Sequence, residues 1–296
     1  MKIFDCFMYF DEEVILDLRL NILNDYVDYF IIVESTFNHK GQKRDLKFDI
    51  KKFSKFEKKI IYLIYDEQPS NIQIINKTDS DDEISKKYIF NAYYRENGQR
   101  NFIYKGLDKA HDDDLILVSD VDEIPNLENL NFYKIKEKLI FFQQDMFYYK
   151  LNLKLPHLIW TGTKGCKKKI LKSPQWLRNI KDKKYSFYRV DTFFSDKKYI
   201  DLKIIKNGGW HFTNIKTAQD IKFKLESYLH HREFDINPLS TDEINKIIKD
   251  KRAIYNLNLD KRDKKIGSGD KLEKYDINNL PNYLKNNINK YKNWID

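Results

Sequence analysis

The chain has 296 residues, 41% hydrophobic and 15% aromatic, with 54 basic and 45 acidic side chains and a net charge of +9. That length and apolar content exclude a disordered chain, and two distant cysteines, Cys6 and Cys166, exclude a disulfide framework or a zinc pattern and suit a reducing compartment. No apolar run approaches the ~20 residues of a membrane span, and the Lys excess tracks a general richness in Lys, Asn, Ile, Tyr and Phe, so no nucleic-acid partner is expected.

Residues 2–10, KIFDCFMYF, read as a strand. DEEVILDLRLNIL follows as a helix, with Asp11 placed to cap it, acids in the first turn, and Ile15, Leu18 and Ile22 on one face. YFIIVE is an apolar run ending on Glu34, and KKIIYLIYDE is another that reaches Asp66. ENGQRNFIYKGLDKA reads as a helix with Glu96, Arg100, Ile103 and Leu107 along one side; DDLILVSD is a fourth strand, ending on Asp120. Continuous apolar strands alternating with helices predict an α/β fold: a Rossmann-type, mostly parallel central sheet with helices on both faces.

Beyond residue 135 the pattern changes. KLIFFQQDMFYYKLNL and KKYSFYRVDTFF alternate more and carry many aromatics, which predicts antiparallel or edge strands and a more antiparallel C-terminal half. NGGWHFTN interrupts them, and TAQDIKFKLESYLHHREF is helical. Residues 256–278 are polar and predict a mobile loop. The closing LPNYLKNNINKYKNWID predicts a helix with Leu284, Ile288, Tyr291 and Ile295 on one face. The expected organisation is one domain over 1–255, with the loop and helix of 256–296 docked on it. The N-terminus carries acids where a signal peptide has its apolar core. The expectation is a soluble, cytoplasmic protein of a bacterial cell or a virus-infected host cell.

Three predicted strands end on carboxylates: Glu34, Asp66 and Asp120. In open α/β sheets ligands sit beyond the carboxyl ends of the strands. The fourth strand runs into SDVDEIP, where Asp120 and Asp122 stand one residue apart with Glu123 beside them. Hard oxygen ligands gathered in one turn suit Mn²⁺ or Mg²⁺, which keep positions open for phosphate oxygens. The plainer reading is a solvated acidic turn or a capped helix start.

SDVDEIP follows QRNFIYKGL and precedes GGWHF; upstream stand DEEVILDLRLNIL, VDYFIIVESTFNHKG and LKF, and LPNYLKNN closes the chain. In this order the motifs resemble glycosyltransferase family 17 over about residues 1–235. The resemblance implies a GT-A-like fold, a nucleotide-sugar donor, a divalent metal and inversion at the anomeric carbon. It matches Asp120 and Asp122 to the DxD motif, Glu34 to the end of the second strand, and Glu96, Gln99 and Arg100 to an E-x-x-Q-R segment. Trp210 and His211 match G-W-H-F. His231 and Glu233 match H-x-E, with His230 an alternative to His231. Asp11 stands where the family often has Asn.

The roles expected on that basis are metal ligation by Asp120, Asp122 and His211, and donor binding by Glu34, Gln99, Arg100, Asp120 and His211. The acceptor's proton goes to Glu233 or Asp145. Arg100 has a plainer role too, as a surface pair with Glu96. Lys164, Lys167, Lys168 and Lys169 would attract phosphate or form a solvated face. Trp160, Trp176 and Tyr148 would stack on sugars or pack in the core. The partners expected are a UDP-sugar, with N-acetylglucosamine first, and a glycan or glycoprotein acceptor. A metal-dependent nucleotidyltransferase and a non-catalytic basic binding protein are the alternatives.

Overall fold

The structure, a computed structural model, describes residues 1–186, 188–192, 194–229, 231–257 and 265–296. Strands β1 (Ile3–Tyr9), β2 (Tyr29–Ser35), β3 (Ile60–Tyr65) and β4 (Leu115–Asp120) pair in parallel in the order β3-β2-β1-β4. Side chains alternate across them, and both faces are covered. Phe7, Phe30, Ile32 and Leu117 share one core with helix α1 (Glu13–Leu23). Phe4, Cys6, Ile31, Val33, Ile116 and Val118 share a second with Ile103 and Leu107, which follow the long helix α2 (Asp81–Phe102). The parallel half with helices on both faces is as the periodicity predicts.

Further strands extend β4 into a mixed sheet. Beyond the three-residue β5 (Glu123–Pro125), β6 (Leu139–Tyr148) and β7 (Leu153–Lys167) form an antiparallel pair, and β7 lies antiparallel to β4. After helix α3 (Pro174–Asn179), β8 (Leu202–Ile205) and β9 (Gly209–Thr213) both run parallel to β6, while β5 closes the path antiparallel to β9. Helices α4 (Ala218–Ser227), α5 (His231–Ile236) and α6 (Thr241–Lys249) follow. They build a third core over Met146, Tyr148 and Leu153. A last short strand, β10 (Glu273–Lys274), pairs with β7.

Several local expectations change. The described residues of KKYSFYRVDTFF form no strand: Arg189 and Lys198 both pair with Asp191 and fix a turn, leaving Tyr188 and Val190 exposed. Asp11 does not cap α1, because Lys216 captures its carboxylate and the N-cap position falls at Glu12. The terminal helix splits into α7 (Asn282–Asn286) and a 3₁₀ segment, Ile288–Trp294. At the break, the Asn287 side chain donates to the Tyr283 carbonyl and competes with the backbone ladder. Leu284 and Tyr291 nonetheless reach the first core, and Tyr291 donates its hydroxyl to Asp17 of α1. Part of the predicted mobile loop, 258–264, lies outside the described residues, as does His230. The rest is tied down, since β10 joins the sheet and Leu272 is buried.

Candidate functional site

The acidic turn lies where β4 ends, and it is held from below. Arg19 projects inward from α1, fully buried, and pairs with Asp5 of β1 through two of its three nitrogens, at 2.6 and 2.7 Å. Its remaining amino group donates to the carbonyls of Asp120 (3.0 Å), Val121 (3.1 Å) and Glu123 (2.9 Å). A single guanidinium thus fixes the backbone of residues 120–123, as its rigid fork of donors allows.

Arginines also fix the side chains. Arg178, in the last turn of α3, meets Glu123 with two parallel hydrogen bonds of 2.7 and 2.9 Å and reaches Asp120 at 3.3 Å. Arg100 of α2 donates to Glu96 (2.7 Å) and to the other Asp120 oxygen (3.0 Å), with a short bond to Gln175. Glu123 is completely buried and also accepts from the Trp160 indole (2.7 Å) and the Asp120 amide (2.9 Å). Gly162 permits this closure: a Cβ there would fall 3.0 Å from the Glu123 carboxyl carbon and overlap Gln144.

Above the turn opens a cleft of about 370 Å³, lined by the carboxyl ends of β1, β2 and β4 and by α2, α4 and α5. Asp120, Asp122, His211, Gln99 and Glu233 all face it, together with Glu12, His39, Arg44 and Lys224. The His211 Nε2 lies 3.5 Å from Asp122 Oδ1, and the Lys224 ammonium lies 3.8 Å from both Asp122 and Glu12. Burial raises the Asp122 carboxyl, but His211 and Lys224 outweigh it and hold it below the usual range. Burial likewise lowers His211, and the neighbouring Asp122, Glu123 and Asp120 reverse that, so its net shift is upward. Asp120 is held down by Arg178 and Arg100 against its own burial.

The donor set suits a divalent ion only in part. Asp122 and His211 offer two ligand atoms at a separation two cis ligands of one Mn²⁺ or Mg²⁺ would nearly satisfy, roughly 3 Å for bonds of ~2.1 Å. His211 Nδ1 is buried and has no hydrogen-bond partner among the described residues. Each Asp120 oxygen meets one arginine, at 3.0 and 3.3 Å, and keeps a further lone pair for a second partner. Among the described residues no three His, Cys, Asp or Glu side chains converge as a complete metal cage. Two protein ligands are what a Mg²⁺-type site needs when phosphates and water complete the shell.

Comparison with known proteins identifies the chain. The model of glycosyltransferase family 17 matches residues 1–295. The chain belongs to glycosyltransferase family 17. It is also similar to the human, rat and mouse proteins called β-1,4-mannosyl-glycoprotein 4-β-N-acetylglucosaminyltransferase, each 24% identical over 231 residues. Those matches cover 72% of this chain and 40% of each relative, so the chain spans less than half the length of the relatives it matches.

Within this family-17 chain the other candidate residues divide. Glu34 is buried below the cleft, and its two oxygens already accept from Arg44, the Lys47 and Phe48 amides and the Tyr62 hydroxyl. It shapes the 36–48 loop and has no free acceptor for a nucleoside, contrary to the expectation of direct contact. Asp145 is absent from the cleft: it pairs with Lys154 at 2.7 Å and lines a different cavity, on the same face of the sheet as Trp210, its register partner. Asp66 accepts from Thr36 away from the cleft. His231 is buried against Tyr88 with its Nδ1 beside the Tyr228 carbonyl, and burial brings its pKa down to about 4.

The lysine run does not gather phosphate. Lys167 and Lys169 pair with Asp113, and Lys168 donates to the Leu107 and Ala110 carbonyls, all at the amino end of β4. Lys164 points inward to the Arg178 and Ile180 carbonyls and so pins the end of α3; burial, followed by the Arg178 charge, lowers it to about 8. Trp160 leans on His211 at 5.3 Å, and Trp176 donates to Tyr199; neither lines the cleft, whereas Tyr148 does. Sequence reasoning missed Arg19, Arg178, Glu12, His39 and Lys224. The one available signal was charge inside apolar runs, Asp5 in β1 and Arg19 in α1.

Proposed function

We propose that the cleft binds a UDP-sugar and that the protein transfers the sugar to a glycan hydroxyl with inversion, within a GT-A-like architecture. N-acetylglucosamine is the first donor sugar to test, by analogy with the relatives' names. The observation that carries this reading is the charge arrangement at the cleft floor: Asp122 between His211 and Lys224, beside an arginine-clamped Asp120. A Mn²⁺ or Mg²⁺ held by Asp122 and His211 would neutralise the charge of the departing diphosphate.

The protein's own groups do the rest. Arg100 and Arg178 keep Asp120 ionised and aimed into the cleft, ready to accept from a ribose hydroxyl. Lys224 turns from its two long carboxylate contacts towards the diphosphate and stabilises it as it leaves. Gln99 and His39 line the nucleotide side. Glu233 shares the cleft with Asp122, whereas Asp145 does not, so Glu233 is the base that takes the acceptor's proton as its oxygen attacks the anomeric carbon.

The test is a donor screen with UDP-, GDP- and dTDP-sugars, with and without Mn²⁺, reading nucleotide release. Release of UDP that depends on acceptor and metal supports the reading. Release of pyrophosphate instead would assign a nucleotidyltransferase, and silence across the panel would remove the enzymatic reading.

A further inference from the structure

The sheet path begins at β3, and among the described residues no strand or isolated bridge pairs with the far side of that strand. We propose that β3 pairs antiparallel with β3 of a second copy of this chain, about a two-fold axis through Leu63, and so joins two sheets into one. The pairing does not depend on the transferase reading, since no β3 residue lines the cleft.

The edge lacks the devices that ordinarily block such contact. Exposed edge strands carry charges, prolines or bulges that discourage a second strand. Ile60–Tyr65 reads IIYLIY, with no charge and no proline, and its register with β2 runs unbroken over all 6 residues. Ile64 is 45% exposed. The opposite end of the path, by contrast, is the short and buried β5.

Backbone parity sets the register. The Tyr65 carbonyl accepts from Thr36 at the end of β2, so residues 61, 63 and 65 turn their backbone groups to β2 while residues 60, 62 and 64 turn theirs outward. The Ile60 N–H already donates to the Phe56 and Glu57 carbonyls, at the end of the 3₁₀ segment Ile50–Lys59. The groups left for a new strand are the Ile60 carbonyl and both backbone groups of Tyr62 and of Ile64. In an antiparallel ladder the residues that exchange hydrogen bonds stand directly opposite and both face the partner. An axis through Leu63 sets Tyr62 opposite Ile64 of the second copy, where the two exchange both bonds, and sets the Ile60 carbonyl opposite the Asp66 amide. An axis through Tyr62 would call on the engaged Ile60 N–H.

Charge points to a second copy as the occupant. Lys58 and Lys59 precede the strand, and Asp66 and Glu67 follow it. The two-fold axis brings the basic start of each strand beside the acidic end of the other, with Lys59 opposite Glu67 and Lys58 diagonal to Asp66, an arrangement that stabilises strand pairs. A parallel pairing of the same two strands would set like charges side by side. The contact is isologous, so it closes at two subunits and leaves neither β3 edge open.

The test is sedimentation velocity on the full chain over roughly 1–100 μM, where a species of twice the chain mass is expected. Ile64→Pro removes an outward N–H that β2 does not use, a change an edge strand tolerates, and should weaken the dimer about tenfold or more. Glu67→Lys, on an exposed side chain, should weaken it about tenfold because the axis repeats each repulsion, and adding Lys58→Glu should restore it. These exposed charge exchanges decide the matter if Ile64→Pro melts early. Leu63→Cys should cross-link to its own copy on mild oxidation, with no background from Cys6 and Cys166, which are buried. A single chain mass across the range, a dimer indifferent to Ile64→Pro and Glu67→Lys, or no rescue by Lys58→Glu would overturn the pairing, as would a dimeric Leu63→Cys chain that does not cross-link.

Discussion

Acids flank both ends of β4. Asp112, Asp113 and Asp114 stand before it, Asp120 ends it, and Asp122 and Glu123 follow. Before the strand, Lys167 and Lys169 pair with Asp113 through side chains 46–66% exposed. After it, Arg100 and Arg178 grip Asp120 and Glu123 with guanidinium side chains only 4% and 11% exposed. Acid density does not distinguish the two ends. The difference is burial and the kind of cation: water screens the exposed lysine pairs, whereas the buried arginines fix carboxylate positions.

The sharpest way to break this comparison is to remove the support under the turn. Arg19→Met should cost about 3–5 kcal/mol in urea unfolding, because it strands Asp5 without a partner, and adding Asp5→Leu should recover much of the loss. A cost below about 1 kcal/mol would show that the turn does not need this grip. Next in size, Asp122→Asn should slow nucleotide release by about 10²–10³-fold with the melting temperature preserved. Glu233→Gln should slow transfer on the order of 10²-fold while calorimetry shows unchanged UDP binding; equal loss of both would move the base elsewhere. At the far end of the strand, Asp113→Asn should change neither turnover nor melting temperature. A drop in turnover there would erase the distinction between the two ends.

Local pattern made half of this legible. The four parallel strands, their two buried faces and the acidic turn follow from apolar runs and a D-x-D that ends one of them. Partnerships across long stretches of chain were hidden. Arg178 reaches Asp120 from 58 residues away, and Arg19 reaches the turn from 101 to 104. Glu34 lies one residue before the end of β2, much as Asp120 ends β4, but four donors from a following loop and a neighbouring strand saturate it. Asp145 illustrates a parity problem. Register shifts between Phe141 and Gln143, and between Asp145 and Phe147, interrupt the β6–β7 pairing, so the face Asp145 takes cannot be counted along the sequence.

The grip of Arg19 also bears on which cations the turn would tolerate. Calcium loops coordinate their ion partly through backbone carbonyls and gather six to eight oxygens. Here the carbonyls of residues 120, 121 and 123 already face a guanidinium, whose own positive charge repels a second cation approaching from that side. On the proposed reading, a large, oxygen-hungry ion would find too few partners there, while a small one that keeps its hydration water would need fewer protein ligands.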